Sequence, residues 1–136
     1  MKITNLIIVT LATGFMAATS ALAQDAKLPP ASDKQGVTYA TDIKPIFDAS
    51  CVKCHSGDKP KAHLKMDTLE GVLKGTKHGK IVTAGDSANS LIVKAIAHAI
   101  PDQDSWMPPQ HNKAGIKDLT PEQIGLIRAW IDQGAK

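Results

Sequence analysis

The sequence predicts an all-α fold. Apolar residues recur at helical spacing in several segments, and capping residues, prolines and glycines mark where those segments begin and end. The 136 residues contain no internal repeat, no low-complexity tract and no pair of alternating strands. Because this length suffices for one modest domain but not for two, we expect a single helical domain.

The first 38 residues are predicted to precede that domain. Residues 1–23 have the layout of a cleaved secretory signal, with Lys2, an apolar run over 6–18 and a small-residue cleavage site at 21–23. The run is too short for a typical membrane span, and an uncleaved anchor is the alternative. Residues 24–38 have almost nothing to bury, so we predict a flexible leader. The mature chain is therefore expected to be periplasmic or otherwise exported, and soluble.

The first two predicted helices lie on either side of the two cysteines. A helix that begins near Thr41 tolerates Pro45, because the amides of the first turn have no partner within the helix. This helix runs directly into Cys51. In a second, shorter helix, Asp67 is the predicted N-cap and Gly75 marks the predicted end. The apolar face of the first helix consists of Ile43, Ile46 and Phe47.

Two further helices are predicted in the second half of the chain. Asp86 or Ser87 caps the third helix, and Pro101 stops it. The last helix has the clearest signals, with a capping box that begins at Thr120 and an end at Gly134. The apolar face of the third helix is formed by Ala88, Leu91, Ile92, Ala95, Ile96 and Ala99, and that of the last helix by Ile124, Ile127, Trp130 and Ile131.

The segment CVKCH contains both cysteines of the chain, Cys51 and Cys54, with His55 directly after the second. On one helical turn both thiols face the same side, and an imidazole four residues after Cys51 can turn towards that side as well. This arrangement is typical of covalent haem, in which each thiol forms a thioether to a vinyl group and the histidine binds the iron. One such motif predicts one covalent haem c.

Zinc and thiol redox chemistry are the alternatives for this motif. A structural zinc site needs four ligands at suitable spacings, but the histidines never follow a His-x(3–5)-His pattern and there is no second cysteine pair. A redox thiol pair or a plain disulfide suits an exported protein. Neither gives His55 a role, and the βαβ platform that supports redox pairs is not predicted. Covalent haem gives all three residues of the motif a role.

Met107 is the predicted second axial ligand of the haem iron. It lies in the segment SWMPPQ, outside the predicted helices, where Pro108 and Pro109 restrict it to extended geometry and stiffen its loop. A thioether is a soft ligand that suits ferrous iron. Ligation by two histidines is the next alternative, and an open site is the last. The competing side chains are Met66, His63, His78, His98 and His111, for which packing or exposed positions are the simpler interpretation.

Five segments in order resemble a known family: DIKPIFDASCVKCHSG, LKMDTLEGVLKG, IVTAGDSANSLIVKAI, WMPP and LTPEQIGLIRAWIDQGA. Residues 39–136 resemble a small monohaem c-type cytochrome, in particular the planctomycete-type cytochrome c domain. The resemblance implies a cytochrome c-like helical fold around the haem, with the first and last helices crossing near it, His55 proximal and Met107 distal. Ser56 departs from the family, in which glycine commonly follows the histidine, and we expect this change to alter the local turn but not ligation.

The expected function follows from the axial ligands. A haem iron with both axial positions filled by protein side chains can only change its oxidation state. We therefore expect a carrier of single electrons between redox proteins, not an enzyme. The alternatives are a haem-bearing subunit of a dehydrogenase complex, and a small haem peroxidase if Met107 is not a stable ligand. Domains of this family often lie in larger proteins, whereas a separate chain favours a free, monomeric carrier.

Lysine is concentrated around and after the haem motif. Residues 51–80 contain seven lysines and only three acidic residues. An ordinary solvated face is one interpretation, and docking to an acidic face of a redox partner is the functional one. Peripheral contact with membrane-bound redox complexes fits the same charge. Nucleic acid is not an expected partner for an exported chain whose formal net charge is only +3.

Overall fold

The computed structural model describes residues 28–136. The predicted signal peptide over residues 1–23, together with the first part of the predicted leader, lies outside the described residues. The described chain forms helices α1 (Lys44–Ser50), α2 (Leu69–Lys74), α3 (Leu91–Ile96) and α4 (Pro121–Asp132). Shorter helical turns occur at Tyr39–Ile43, which is π-helical, and at Lys61–His63 and Gln103–Ser105, which are 3₁₀.

The all-α prediction is confirmed for the part of the chain that the structure describes. Residues 28–136 contain no β-strand, and their one isolated bridge joins Thr76 to Gly79. Within the same range, no helix has both the length and the apolar character that crossing a membrane requires. Most of the remaining chain is irregular, so the positions of the loops depend on contacts with the helices.

Three aromatic rings from the two ends of the domain form the centre of the core. Tyr39 of the π-helical turn, Phe47 of α1 and Trp130 of α4 pack with ring centroids 5.9 to 6.4 Å apart. The Tyr39 hydroxyl donates to the Met66 carbonyl at 3.1 Å, and the Trp130 indole N–H donates to the Lys136 carbonyl at 2.9 Å. Because both polar groups have partners, these rings join the two ends of the domain without leaving a buried donor unsatisfied.

Helix α4 has the ends that the sequence predicts. The Thr120 hydroxyl accepts a hydrogen bond from the Gln123 N–H at 3.3 Å, and the Gln123 side chain accepts one from the Thr120 N–H at 2.9 Å. Gly134, with φ of 102°, lies just beyond the helix. The predicted buried residues Ile124, Ile127, Trp130 and Ile131 are all buried.

The starts of α2 and α3 differ from the prediction. Helix α2 is capped by Thr68, whose hydroxyl accepts from the Gly71 N–H at 3.1 Å, and not by Asp67. Helix α3 begins later than predicted, because the carboxylate of Asp86 accepts from the Asn89 N–H at 3.1 Å and closes a separate turn before the helix. The change at α3 has a physical cause, since aspartate competes for backbone amides in turns as well as at helix caps.

The part of the predicted leader that the structure describes is packed rather than free. Residues 28–38, which we call the N-terminal strap, bury Leu28 and Val37. The Ser32 N–H donates to the carbonyl of Gly125 in α4 at 2.9 Å. The expectation of a segment with almost nothing to bury is therefore corrected here. Its composition is polar, but its backbone is held against α4 by hydrogen bonds that involve Ser32 and Pro29.

Candidate haem site

The CVKCH motif forms a tight turn at the end of α1. The Cys51 N–H donates to the Phe47 carbonyl at 2.8 Å, which continues the helical hydrogen bonding. The Cys51 carbonyl then accepts from the N–H groups of Cys54 at 3.1 Å and His55 at 3.0 Å. This turn brings the side chains of Cys51, Cys54 and His55 to the wall of one cavity.

The cavity has a volume of about 350 Å³ and lies between the motif, α3 and the loop that follows α3. Its volume falls within the range of about 300–1,000 Å³ that is typical of cofactor pockets. Most of its wall is apolar, which suits a porphyrin ring. Apolar side chains that line it include Leu64, Ile81, Ile92, Ile96, Ile116 and Leu119.

Both cysteines are free thiols, and no disulfide joins them. Burial raises the pKa of the Cys51 thiol to about 12, and the neighbouring Cys54 adds to this effect. Cys51 is therefore a neutral thiol near neutral pH. A redox nucleophile needs the thiolate form, so this buried environment does not favour thiol redox chemistry at Cys51.

The ring of His55 is oriented by a backbone carbonyl. Its Nδ1 lies 3.1 Å from the carbonyl oxygen of Lys61, and because this oxygen can only accept, Nδ1–H is the donor. Nε2 is then the unprotonated nitrogen, which is the form a metal requires. Burial lowers the pKa of His55 and favours the neutral ring. The turn is held in place by the Lys61 N–H, which donates to the Cys54 carbonyl at 3.0 Å.

The sequence does not identify Lys61 as the residue whose carbonyl orients His55. The turn at Lys61–His63 has left-handed backbone at Ala62, with φ of 56°, and at His63, with φ of 57°. Neither residue is glycine, so composition gives no signal of this conformation. Only the proline at position 60 hinted that the chain turns after the motif.

Met107 is half-buried and lines the same cavity as the motif. Its backbone N–H donates to the carbonyl of Ala95 in α3 at 3.1 Å, and its peptide bond to Pro108 is cis. The structure thus brings together all four residues that the sequence singled out, Cys51, Cys54, His55 and Met107, around one cavity.

The other candidate axial ligands differ in where they lie relative to the cavity. Met66 also lines the cavity, but its N–H donates to the His55 carbonyl at 2.8 Å, which holds it on the His55 side. His78 reaches the wall from an exposed turn. The remaining candidates, His63, His98 and His111, are not among the residues that line the cavity.

These residues fit a covalent haem by the chemistry of the donor set. Two thiols and a neutral imidazole lie on one turn, a thioether is present elsewhere on the wall, and the wall between them is apolar. Within residues 28–136, no group of three or more histidine, cysteine or acidic side chains is arranged to hold a metal ion. The zinc alternative thus has no ligand set in this part of the chain.

Comparison with known proteins agrees with this chemistry. The family model for planctomycete cytochrome C matches residues 51–111, a stretch that includes both cysteines, His55 and Met107. Subunit alpha of hydrazine synthase from Kuenenia stuttgartiensis is 27% identical over an alignment of 128 residues, gaps included, and the alignment covers 76% of this chain. The chain corresponds to only 16% of the length of that protein. No solved structure gives a significant match.

Proposed function

We propose that this chain is an exported c-type cytochrome that carries single electrons through one His/Met-ligated haem. The proposal starts from the planctomycete cytochrome C match over residues 51–111. The match supports a haem-binding redox protein and implies covalent haem c. The observation that carries the finer proposal is the shared cavity, whose wall contains the two thiols, the His55 imidazole and the Met107 thioether.

In this proposal each side chain of the site has one task. Cys51 and Cys54 hold the haem as thioethers, so the cofactor is not lost in an exported protein. His55 presents Nε2, because its Nδ1–H is engaged by the Lys61 carbonyl. Met107 supplies a soft sulfur, which stabilises the ferrous state. The haem, when bound, supplies a reversible one-electron change.

The protein around the site acts chiefly by limiting rearrangement. The motif turn and the Lys61 turn are joined by backbone hydrogen bonds, and the Met107 amide is tied to α3. The side chains that line the cavity are mostly apolar. A site held in this way would change little between oxidation states, which suits electron transfer.

A second candidate function is supported by the hydrazine synthase relative. That protein is, by its name, a subunit of an enzyme, and its aligned part is a small share of its length. This chain would then be a haem-bearing unit in a larger redox enzyme rather than a free carrier. Native-size measurement on a cell extract separates the two proposals, because a carrier elutes near its monomer mass and a subunit elutes with its complex.

Acid-acetone extraction of the purified holoprotein tests the haem attachment. We expect the haem to stay with the polypeptide in the wild type. In Cys51→Ala or Cys54→Ala, one thioether remains and the reduced absorption bands shift to longer wavelength, whereas the double variant releases the haem. Extraction of haem from the wild type, or purified protein that contains zinc and no haem, would overturn the proposal.

A further inference from the structure

The loop between α3 and α4 holds Met107 through contacts that do not involve the CVKCH motif. The Met107 N–H donates to the Ala95 carbonyl at 3.1 Å. In the preceding residue, the Trp106 indole N–H donates to the Ile100 carbonyl at 2.8 Å. The Trp106 ring also stacks on the ring of His98, with centroids 4.6 Å apart and planes only 5° from parallel.

His98 contributes a flat ring rather than a hydrogen-bonding group. Its Nε2 is buried without a hydrogen-bond partner among the described residues, and it lies 3.9 Å from the nearest carboxylate oxygen of Asp118. Its backbone is left-handed, with φ of 52°. Histidine is among the few non-glycine residues that adopt this conformation readily. The residue type therefore suits a sharp chain reversal that must also present an aromatic face.

The stacked pair is joined to the cavity wall through Met107 and through Ile100, whose carbonyl accepts the Trp106 indole N–H. Neither His98 nor Trp106 belongs to the wall of the cavity, whereas Met107 does. The loop has little regular structure of its own, since its single helical element is the short turn at Gln103–Ser105. Without the stacked pair, the main contact between Met107 and α3 would be the hydrogen bond from the Met107 N–H. Loop segments held by so few contacts undergo local opening most easily.

We infer that His98 and Trp106 are positioning residues that keep the Met107 sulfur at the haem, and that their stacking sets how often the sixth coordination position opens. This inference rests on the proposed His/Met ligation. An external ligand such as imidazole binds only the open form of the oxidised protein. Its apparent dissociation constant therefore depends inversely on the open fraction, which makes the opening measurable.

Two substitutions at His98 distinguish the effect of its ring from the effect of its left-handed backbone conformation. His98→Asn removes the ring but keeps a residue that tolerates the left-handed conformation. We expect its apparent affinity for imidazole to rise roughly two- to tenfold, the range for loss of one aromatic pair, and its far-red sulfur-to-iron band to weaken. His98→Phe fits the backbone less well but keeps the stack, so its imidazole affinity and far-red band should stay near those of the wild type.

Substitutions at Trp106 provide a second, independent pair. Trp106→Leu removes both the stack and the indole hydrogen bond, and we expect it to raise imidazole affinity at least as much as His98→Asn. Trp106→Phe keeps an aromatic face and should have a smaller effect. Leu28→Ala, in the N-terminal strap, is the control for general destabilisation. It should lower the unfolding midpoint without changing imidazole affinity.

The outcomes distinguish the inference from the function on which it rests. If Met107→Ala raises imidazole affinity strongly but His98→Asn and Trp106→Leu leave it unchanged, the positioning role is wrong and His/Met ligation stands. If Leu28→Ala raises the affinity as much as they do, the effect is one of general stability and the positioning role is again wrong. A wild type with no far-red band, whose imidazole affinity Met107→Ala leaves unchanged, overturns both proposals.

Discussion

Met107 is the residue on which the proposed carrier function depends most. Replacing it with alanine should leave the haem attached through Cys51 and Cys54 but open the sixth coordination position. We expect loss of the far-red band of the oxidised protein, rapid carbon monoxide binding when the protein is reduced, and a lower reduction potential. Absorption spectroscopy and redox titration check these outcomes.

Met66 provides the matched control for this substitution, because it is a second methionine on the wall of the same cavity. Met66 is buried, and its backbone N–H donates a hydrogen bond to the His55 carbonyl. Met66→Ala should therefore reduce stability by about 2–5 kcal/mol as a core truncation while the far-red band persists. If Met66→Ala removes the band and Met107→Ala does not, the axial sulfur was assigned to the wrong methionine.

Ser56 contributes a side-chain hydrogen bond to the turn after the motif. Its hydroxyl donates to the Val52 carbonyl at 2.7 Å and closes the turn after the motif. Ser56→Ala should destabilise the holoprotein by about 0.5–1.5 kcal/mol, the usual contribution of one such hydrogen bond. The absorption spectrum and the reduction potential should not change. Denaturant unfolding measures the first effect, and a changed potential would show that the turn influences ligation.

At the scale of elements, the contact between α4 and the N-terminal strap makes a specific prediction. A Cβ at Gly125 would lie 2.6 Å from the carbonyl oxygen of Pro30. Gly125→Ala should therefore destabilise the protein by about 1–3 kcal/mol, although alanine is the better helix former. The free energy of unfolding from denaturant titration measures this loss.

The same substitution in a shortened chain tests the cause. In a chain that begins at Val37, the strap backbone that clashes with the new methyl group is gone. Gly125→Ala should then be neutral or stabilise the helix by up to about 1 kcal/mol. An equal loss in the full and the shortened chain would mean that the strap does not pack on α4 in solution.

How well each element could be predicted depends on where its determinants lie. Helix α4 was predicted at both ends, because the capping box at Thr120 and the glycine at 134 are local signals. The start of α3 was missed because the Asp86 carboxylate closes a turn instead. The packing of residues 28–38 was missed because burial of Leu28 depends on the fold, which no local pattern reveals.

At the scale of the whole molecule, some parts of the site depend on local sequence and others depend on the fold. The spacing of Cys51, Cys54 and His55 is local and was sufficient to predict their arrangement on one turn. The cavity wall is assembled from segments distant in sequence, and only the fold shows that Met107 reaches it. The Lys61 carbonyl and the ring of His98 depend on left-handed backbone at Ala62, His63 and His98, and none of these is the glycine that usually marks such backbone.

The lysines of residues 51–80 are the feature of the whole molecule that bears on partners. Lys65, Lys74 and Lys77 line a groove beside the Lys61 turn, together with His63 and one acidic residue, Asp58. We propose that this face meets an acidic face of a redox partner and increases the rate of encounter. The attraction should weaken as salt screens it, over a Debye length of about 10 Å at 0.1 M.

Lys74→Glu and Lys136→Glu change the net charge equally, but only the first lies on this face. Stopped-flow electron transfer with the physiological partner should be slower for Lys74→Glu at low ionic strength, and the rates should converge with the wild type as salt is added. Lys136→Glu should change the rate much less, since steering depends on where the charge lies as well as on its sum. A wild-type rate that is independent of ionic strength, or equal effects of the two substitutions, would show that the lysine face is an ordinary solvated surface.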